Sequence, residues 1–179
     1  QTDAMLNQDE ARIVCAESKA FLQSLPPHYV DCTVTSPPYY QQRDYGHRGQ
    51  IGQEACPEQY VERLVELFRE CLRVTRPTGS LWLVLGDKYR NGQLLGLPWR
   101  VALALRETGW LLRCDIIWHK PNAMPSAAKT RPTIDHEYVF FFTRQAEGYY
   151  YDVDAVREPH VTFSEHSRMR GGRRHFGQR

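Results

Sequence analysis

Val30-Asp-Cys-Thr-Val-Thr-Ser-Pro-Pro-Tyr39 is the stretch on which the reading of this chain turns. Residues 30 to 35 are rich in β-branched side chains, and Pro37 and Pro38 cannot donate to a ladder, so a strand is expected that stops at Thr35. Ligands of open α/β sheets bind beyond the carboxyl ends of parallel strands, which makes the residues just after Thr35 the candidate site. Each proline fixes its own φ and biases the residue before it towards extended backbone, leaving the Ser36 and Pro37 carbonyls on a stiff ledge. The ledge offers acceptors without competing donors. An exocyclic amino group of a nucleobase has two hydrogens to give. Held by the Ser36 hydroxyl and a backbone carbonyl, such a group can have its lone pair turned out of the ring plane, which makes a poor nucleophile usable. Tyr39 adds an aromatic face for a flipped-out base, a stack worth about 1–3 kcal/mol. Taken alone, the tetrapeptide reads more readily as a polyproline turn with a tyrosine anchor, the commoner fate of such a sequence.

The surroundings favour a site. Upstream, Arg12 to Cys15 reads as a short strand and Ser18 to Leu25 as a helix ended by Pro26-Pro27. Downstream, residues 41 to 55 carry charge and three glycines with no apolar period, the pattern of a long functional loop. Pro57 then opens a helix whose Val61, Leu64, Val65, Phe68, Cys71 and Leu72 form one buried stripe. Pro77-Thr-Gly79 turns the chain into Leu81-Trp-Leu-Val-Leu85, a continuous apolar strand of the kind covered on both faces, with Gly86-Asp87 at its end. A helix over Pro98 to Thr108, stopped by Gly109, leads to a strand over Trp110 to Trp118. After a proline-rich loop, Glu137 to Thr143 and Tyr149 to Tyr151 are expected to pair as an antiparallel edge hairpin. The alternation predicts an α/β, three-layer domain with a mostly parallel sheet. Trp82 and Trp118 are expected in the core and Trp99 in helix packing.

The chain has 179 residues, 41% hydrophobic and 25% charged, which suits one packed domain. Its mean hydropathy is −0.58, and its longest apolar runs fall far short of the roughly 18 residues a membrane span needs. The polar start Gln1-Thr-Asp3 is not a signal peptide. Five scattered cysteines form no zinc-type cluster and suit free thiols in a reducing compartment. The formal charge of +2 is unevenly spread: residues 157 to 179 carry +4 and the remainder −2.

Thr35-Ser-Pro-Pro-Tyr39 resembles the catalytic motif of DNA methyltransferases that methylate N4 of cytosine or N6 of adenine from S-adenosylmethionine. The likeness continues through Arg43-Asp-Tyr-Gly46, Gly49-Gln-Ile-Gly52 with Glu54, Leu85-Gly-Asp-Lys-Tyr89, Gly109-Trp110, Asp115-Ile-Ile-Trp-His-Lys-Pro-Asn122, Arg131-Pro-Thr133 and His136-Glu-Tyr138. It covers roughly residues 11 to 159 and is similar to the phage and restriction-modification branch. In the permuted class it resembles, the catalytic motif comes first, then the target-recognition region, then a glycine-rich cofactor motif. No Phe-x-Gly-x-Gly or equivalent occurs here. The resemblance therefore implies a Rossmann-like S-adenosylmethionine-dependent fold, possessed in part: residues 1–157 as the catalytic portion and 158–179 as a basic, flexible start of target recognition.

The resemblance also assigns roles. Ser36, Pro37, Pro38 and Tyr39 are the catalytic candidates; Glu17, Thr35, Ser36, Pro37 and Asp87 are candidates to line the cofactor. Glu17 stands where family members often have Gly-Asp, and Asp87 reads equally as a turn aspartate bonding its own backbone. Arg43, Arg48, Lys120 and Arg131 are candidates to hold double-stranded DNA, each readable otherwise as a solvated surface charge. His136-Glu137 reads as a hydrogen-bonded structural pair, and no metal is expected. Cytosine C5 methylation, which needs a cysteine nucleophile, is disfavoured because only the reversed Cys56-Pro57 occurs. Serine at the first motif position favours cytosine N4 over adenine N6. Three alternatives stay open: an adenine enzyme, methylation of a glutamine or RNA amino group, and a non-catalytic DNA-binding fragment. A complementing C-terminal segment or a homodimer partner is expected, and the place of action is the cytoplasm, on the nucleoid, for a bacterial or phage protein, or the nucleus for a eukaryotic one.

Overall fold

A computed structural model describes residues 11–123 and 125–157. The elements in chain order are α1 (Ser18–Ser24), β1 (Val30–Thr35), α2 (Pro57–Val74), β2 (Thr75–Leu85), β3 (Tyr89–Arg90), β4 (Gln93–Leu94), α3 (Leu97–Arg106), β5 (Leu111–His119) and β6 (His136–Thr143). Four strands form one sheet in the order β1-β2-β6-β5, while β3 and β4 make a separate two-stranded hairpin. β1 and β2 are parallel, and β6 is antiparallel to both β2 and β5, so β1, β2 and β5 all point one way. The class is α/β with a mixed sheet, as expected.

The apolar stripe of α2 does what its spacing predicts. Tyr60, Leu64, Phe68 and Cys71 are buried, and they meet Leu81, Leu83 and Leu85 of β2 and Phe140 and Phe142 of β6. Val101, Ala102 and Leu105 of α3 extend the same core, closed at one end by Trp110, whose indole N–H donates to the Phe68 carbonyl at 3.1 Å. Pro57 occupies the first helical position of α2, where its missing N–H costs no bond. Arg73 ties α1 to α2 by donating to the Leu22 and Leu25 carbonyls at 2.8 and 3.0 Å. These bonds, the first to a carbonyl that also accepts from Leu25 N at 3.0 Å, secure the end of a helix too short to be stable alone.

Several expectations are corrected. Arg12 to Cys15 is not a strand, and Ile13 is fully exposed. Tyr149 to Tyr151 form no strand either. The antiparallel edge hairpin exists, but β5 and β6 make it, with β5 at the edge and β6 interior. The 149–151 segment instead lies on the sheet, Tyr149 and Tyr151 against the Phe141 ring at 5.9 and 5.7 Å. Pro77 to Gly79 do not separate β2 from what precedes it; β2 runs through them, and the expected turn survives as a register shift where Val30 pairs with Thr75 but Cys32 with Ser80. Trp118 is 54% exposed, because β5 is an edge strand and among the described residues no layer covers it at that point, and Trp82 is half-buried. Trp99 does pack, edge-on to Phe140 at 5.2 Å. Among the described residues all three helices lie on one face of the sheet, and residues 158–179 lie outside them.

Candidate active site

β1 ends at Thr35, and the next four residues leave the sheet edge as the ledge that the two prolines predict. Pro37 is buried, Pro38 and Tyr39 are half-buried, and Ser36 is exposed. The Tyr60 hydroxyl of α2 donates to the Pro38 carbonyl at 3.1 Å. That carbonyl is therefore engaged, whereas the Pro37 carbonyl has no hydrogen-bond partner among the described residues. The long loop buttresses the ledge from behind. Gly52 at φ +99° holds its backbone where a Cβ would stand 3.0 Å from the Tyr39 carbonyl and 3.3 Å from Pro38, a conformation and an approach that suit only glycine. Glu54 pins Gly52 by accepting its N–H at 2.9 Å, and the Gln50 and Gln53 amides both donate to the Arg43 carbonyl, at 3.1 and 2.9 Å.

The aromatic ring of Tyr39 is held at two points. Its edge rests on Gly86, where a Cβ would come within 2.8 Å of Cε2. Its hydroxyl donates to Glu137 Oε2 at 3.0 Å and accepts from Ser36 Oγ at 3.2 Å. Lys120 pairs with the other oxygen of the same carboxylate. Burial, more than the Glu137 charge, pushes the Tyr39 hydroxyl up to about 12, and the Ser36 bond opposes this. The group is a proton donor across the whole physiological range.

The other sequence candidates are placed as follows. Glu17 caps α1, its two oxygens accepting from Lys19 N and Ala20 N at 3.1 and 2.7 Å, and these bonds hold its carboxyl below the usual range. It lines a recess with Glu54, Arg63 and Glu66 that includes no ledge residue, so the structure does not bring Glu17 to Ser36. Asp87 takes the turn role: Oδ1 accepts from Lys88 N at 2.8 Å and from Leu97 N at 3.1 Å, anchoring the start of α3. Arg43 and Arg48 are exposed on the long loop. Arg131 stacks on the Tyr89 ring at 3.6 Å, and Lys120 is drawn into the site through Glu137. His136 faces Asp135 at 3.5 Å and not Glu137, so the expected His136-Glu137 pair is not formed. No group of metal-ligating residues occurs among the described residues.

Sequence reasoning missed Glu137, Gly86 and Tyr60 as parts of this site. Glu137 is 98 residues from Tyr39, and the β1–β2 and β2–β6 pairings together bring them side by side; no local pattern signals that. Gly86 was visible as a glycine after a buried strand, without its reason.

The model of the N6/N4 DNA methylase family matches residues 30–177, most of the chain and all of this site. The chain belongs to that family. Among curated proteins it is 38% identical to the type II methyltransferase M.SmaI of Serratia marcescens over 89% of its own length, and 41% identical to M.Cfr9I of Citrobacter freundii over 86%. It spans only 65% and 60% of the lengths of those two methylases. Among solved structures, a DNA modification methylase from Thermus thermophilus complexed with S-adenosyl-L-methionine matches at TM-score 0.57 and 26% identity, covering 80% of this chain and 56% of that one. The cytosine-N4-specific PvuII methyltransferase matches at TM-score 0.60 and 20% identity over 75% of this chain and 48% of that one, a likeness of fold. The methylase fold of this chain is thus the Rossmann-like one of S-adenosylmethionine-dependent enzymes, and S-adenosylmethionine is the cofactor the family implies.

Proposed function

We propose that this chain carries the catalytic portion of a site-specific DNA methyltransferase that methylates the exocyclic amino group of a flipped base, N4 of cytosine in preference to N6 of adenine. The observation that carries the reading is the ledge itself: a serine hydroxyl and a proline carbonyl with no partner among the described residues, beside an aromatic ring held along one edge and at its hydroxyl. The choice of cytosine rests on Ser36 at the first motif position. S-Adenosylmethionine, when bound, supplies an electrophilic methyl on a positively charged sulfur. The chemistry of the ledge suits such a donor, because Pro37 and Pro38 offer no N–H and the Tyr39 hydroxyl proton is directed to Glu137. Thr35, Ser36 and Pro37 would form one wall of the cofactor site.

The residues act by position. Ser36 Oγ and the Pro37 carbonyl accept the two amino hydrogens and turn the nitrogen lone pair out of the base plane, and Tyr39 stacks on the base. The nitrogen so presented would take the methyl that bound S-adenosylmethionine supplies, and would give up one amino proton to solvent. Arg43, Arg48, Lys120 and Arg131 are the proposed DNA contacts, and Lys120 and Arg131 have inner partners they would keep or exchange. We further propose that residues 1–157 are the catalytic portion, that 158–179 begin target recognition, and that a C-terminal continuation or a partner subunit supplies the remaining cofactor wall. The sheet face opposite the helices, which among the described residues only the 149–151 segment covers in part and which leaves Val34 73%, Ile116 42% and Trp118 54% exposed, supports this. Action would be cytoplasmic, on double-stranded DNA.

The test is methyl transfer to unmethylated plasmid DNA by the complete enzyme, with the modified base identified by mass spectrometry. N4-methylcytosine is expected, and N6-methyladenine would reassign the base. Ser36→Ala is expected to lower turnover at least 100-fold with the fold retained; undiminished activity would sink the assignment.

A further inference from the structure

Ser36 can serve as an acceptor for an amino group only if its own proton points elsewhere, and nothing in the ledge sequence determines that direction. We propose that Glu137 is a positioning residue that sets it, acting through Tyr39; the inference rests on the reading of Ser36 given above. A carboxylate paired with an ammonium can only accept. Glu137 has Lys120 on Oε1 and the Tyr39 hydroxyl on Oε2. Tyr39 has one hydroxyl hydrogen, and it is spent on Glu137, so towards Ser36 the phenol presents only a lone pair. The Ser36 hydrogen goes there, over 3.2 Å. What remains on Ser36 Oγ, facing out from the ledge, is acceptor capacity alone.

The polarity of the whole row is thus dictated from its far end. That end is rigid: Trp118 pairs with Glu137 and His119 with His136 in the β5–β6 ladder, and Lys120 N donates to the Asp135 carbonyl at 2.6 Å, so Lys120 and Glu137 are set side by side by backbone bonds. Gly86 leaves room beside the carboxylate, an added Cβ there lying 3.5 Å from Oε1. Glutamine at 137 has nearly the same shape but can donate. Its amide N–H would satisfy the Tyr39 oxygen, release the Tyr39 hydrogen towards Ser36, and turn the Ser36 hydrogen out against the amino hydrogens it should accept.

The experiment is a double-mutant cycle in the complete enzyme, using labelled S-adenosylmethionine and unmethylated plasmid DNA. Glu137→Gln is expected to lower kcat at least tenfold, with the DNA KM within about twofold and an unchanged unfolding temperature. Tyr39→Phe severs the row and also lowers kcat. Glu137→Gln added to Tyr39→Phe is expected to cost less than twofold more, because the proposed route no longer exists. A kcat for Glu137→Gln within twofold of the wild type, or a loss that persists undiminished on the Tyr39→Phe background, overturns the inference. Should Glu137→Gln fail to fold, Tyr39→Phe decides alone, and unchanged kcat there overturns it. Ser36→Ala separates the two levels: full activity in that variant removes the reading of the site, whereas loss there with full activity in Glu137→Gln removes only the role of Glu137.

Discussion

Tyr39 and Gly86 meet so closely that each sets what the other can be. A methyl at position 86 would stand 2.8 Å from Cε2 of the Tyr39 ring, while the hydroxyl on the adjoining ring carbon is tethered to Glu137. The ring cannot move away without breaking the tether. Gly86→Ala is therefore expected to cut methyl transfer by roughly tenfold with the circular dichroism spectrum unchanged, since a misplacement near 1 Å in a positioning site costs about two orders of magnitude at most. A second consequence concerns pH. The Tyr39 hydroxyl is raised to about 12 in the fold against an ordinary value near 10. Its contribution to stability is then fully present below pH 10 and lost as pH rises from about 10 to 12, where the unfolded chain ionises and the folded one resists. Alkaline unfolding should become shallower above pH 10 in Tyr39→Phe; identical profiles in the two proteins would show that the site does not hold the proton.

The element that bears most of the fold is α2. Leu64 is fully buried between β2 and α3, with Tyr60 and Phe68 one turn away on either side. Leu64→Ala is expected to destabilise the chain by about 2–5 kcal/mol, read from urea unfolding. Because Tyr60 on the same helix holds the Pro38 carbonyl, helix packing and ledge position are linked. Tyr60→Phe, which keeps the packing, should leave stability within about 1.5 kcal/mol and still reduce turnover by releasing the ledge. β5 is the opposite case: an edge strand with almost all of its side chains exposed. Of its side chains Trp118 is expected in the core from residue type alone, and burial depends on a covering layer that residue type cannot reveal.

At the scale of the molecule, the described residues put helices on one face of the sheet and leave Val34, Ile116 and Trp118 exposed on the other, which the 149–151 segment covers only in part. Isothermal titration of S-adenosylmethionine into the 179-residue chain is expected to give no heat of binding, and into the chain with its proposed continuation a one-to-one complex. Tight binding by the chain alone would show that the ledge side of the site suffices and would remove the need for a second wall.

The strand and ledge at residues 30 to 39, the amphipathic α2, the glycine-bearing loop and the family itself were legible in the sequence. Each depends on local chemistry: proline lacks an N–H, β-branched runs favour extended backbone, and apolar residues at helical spacing make one face. Tertiary structure alone decided the partners. The placement of β6 between β2 and β5, the meeting of Glu137 with Tyr39 across 98 residues and the exposure of Trp118 all follow from sheet order and register. These depend on which distant strands pair and which faces are covered, and no spacing along the chain encodes a distance through it.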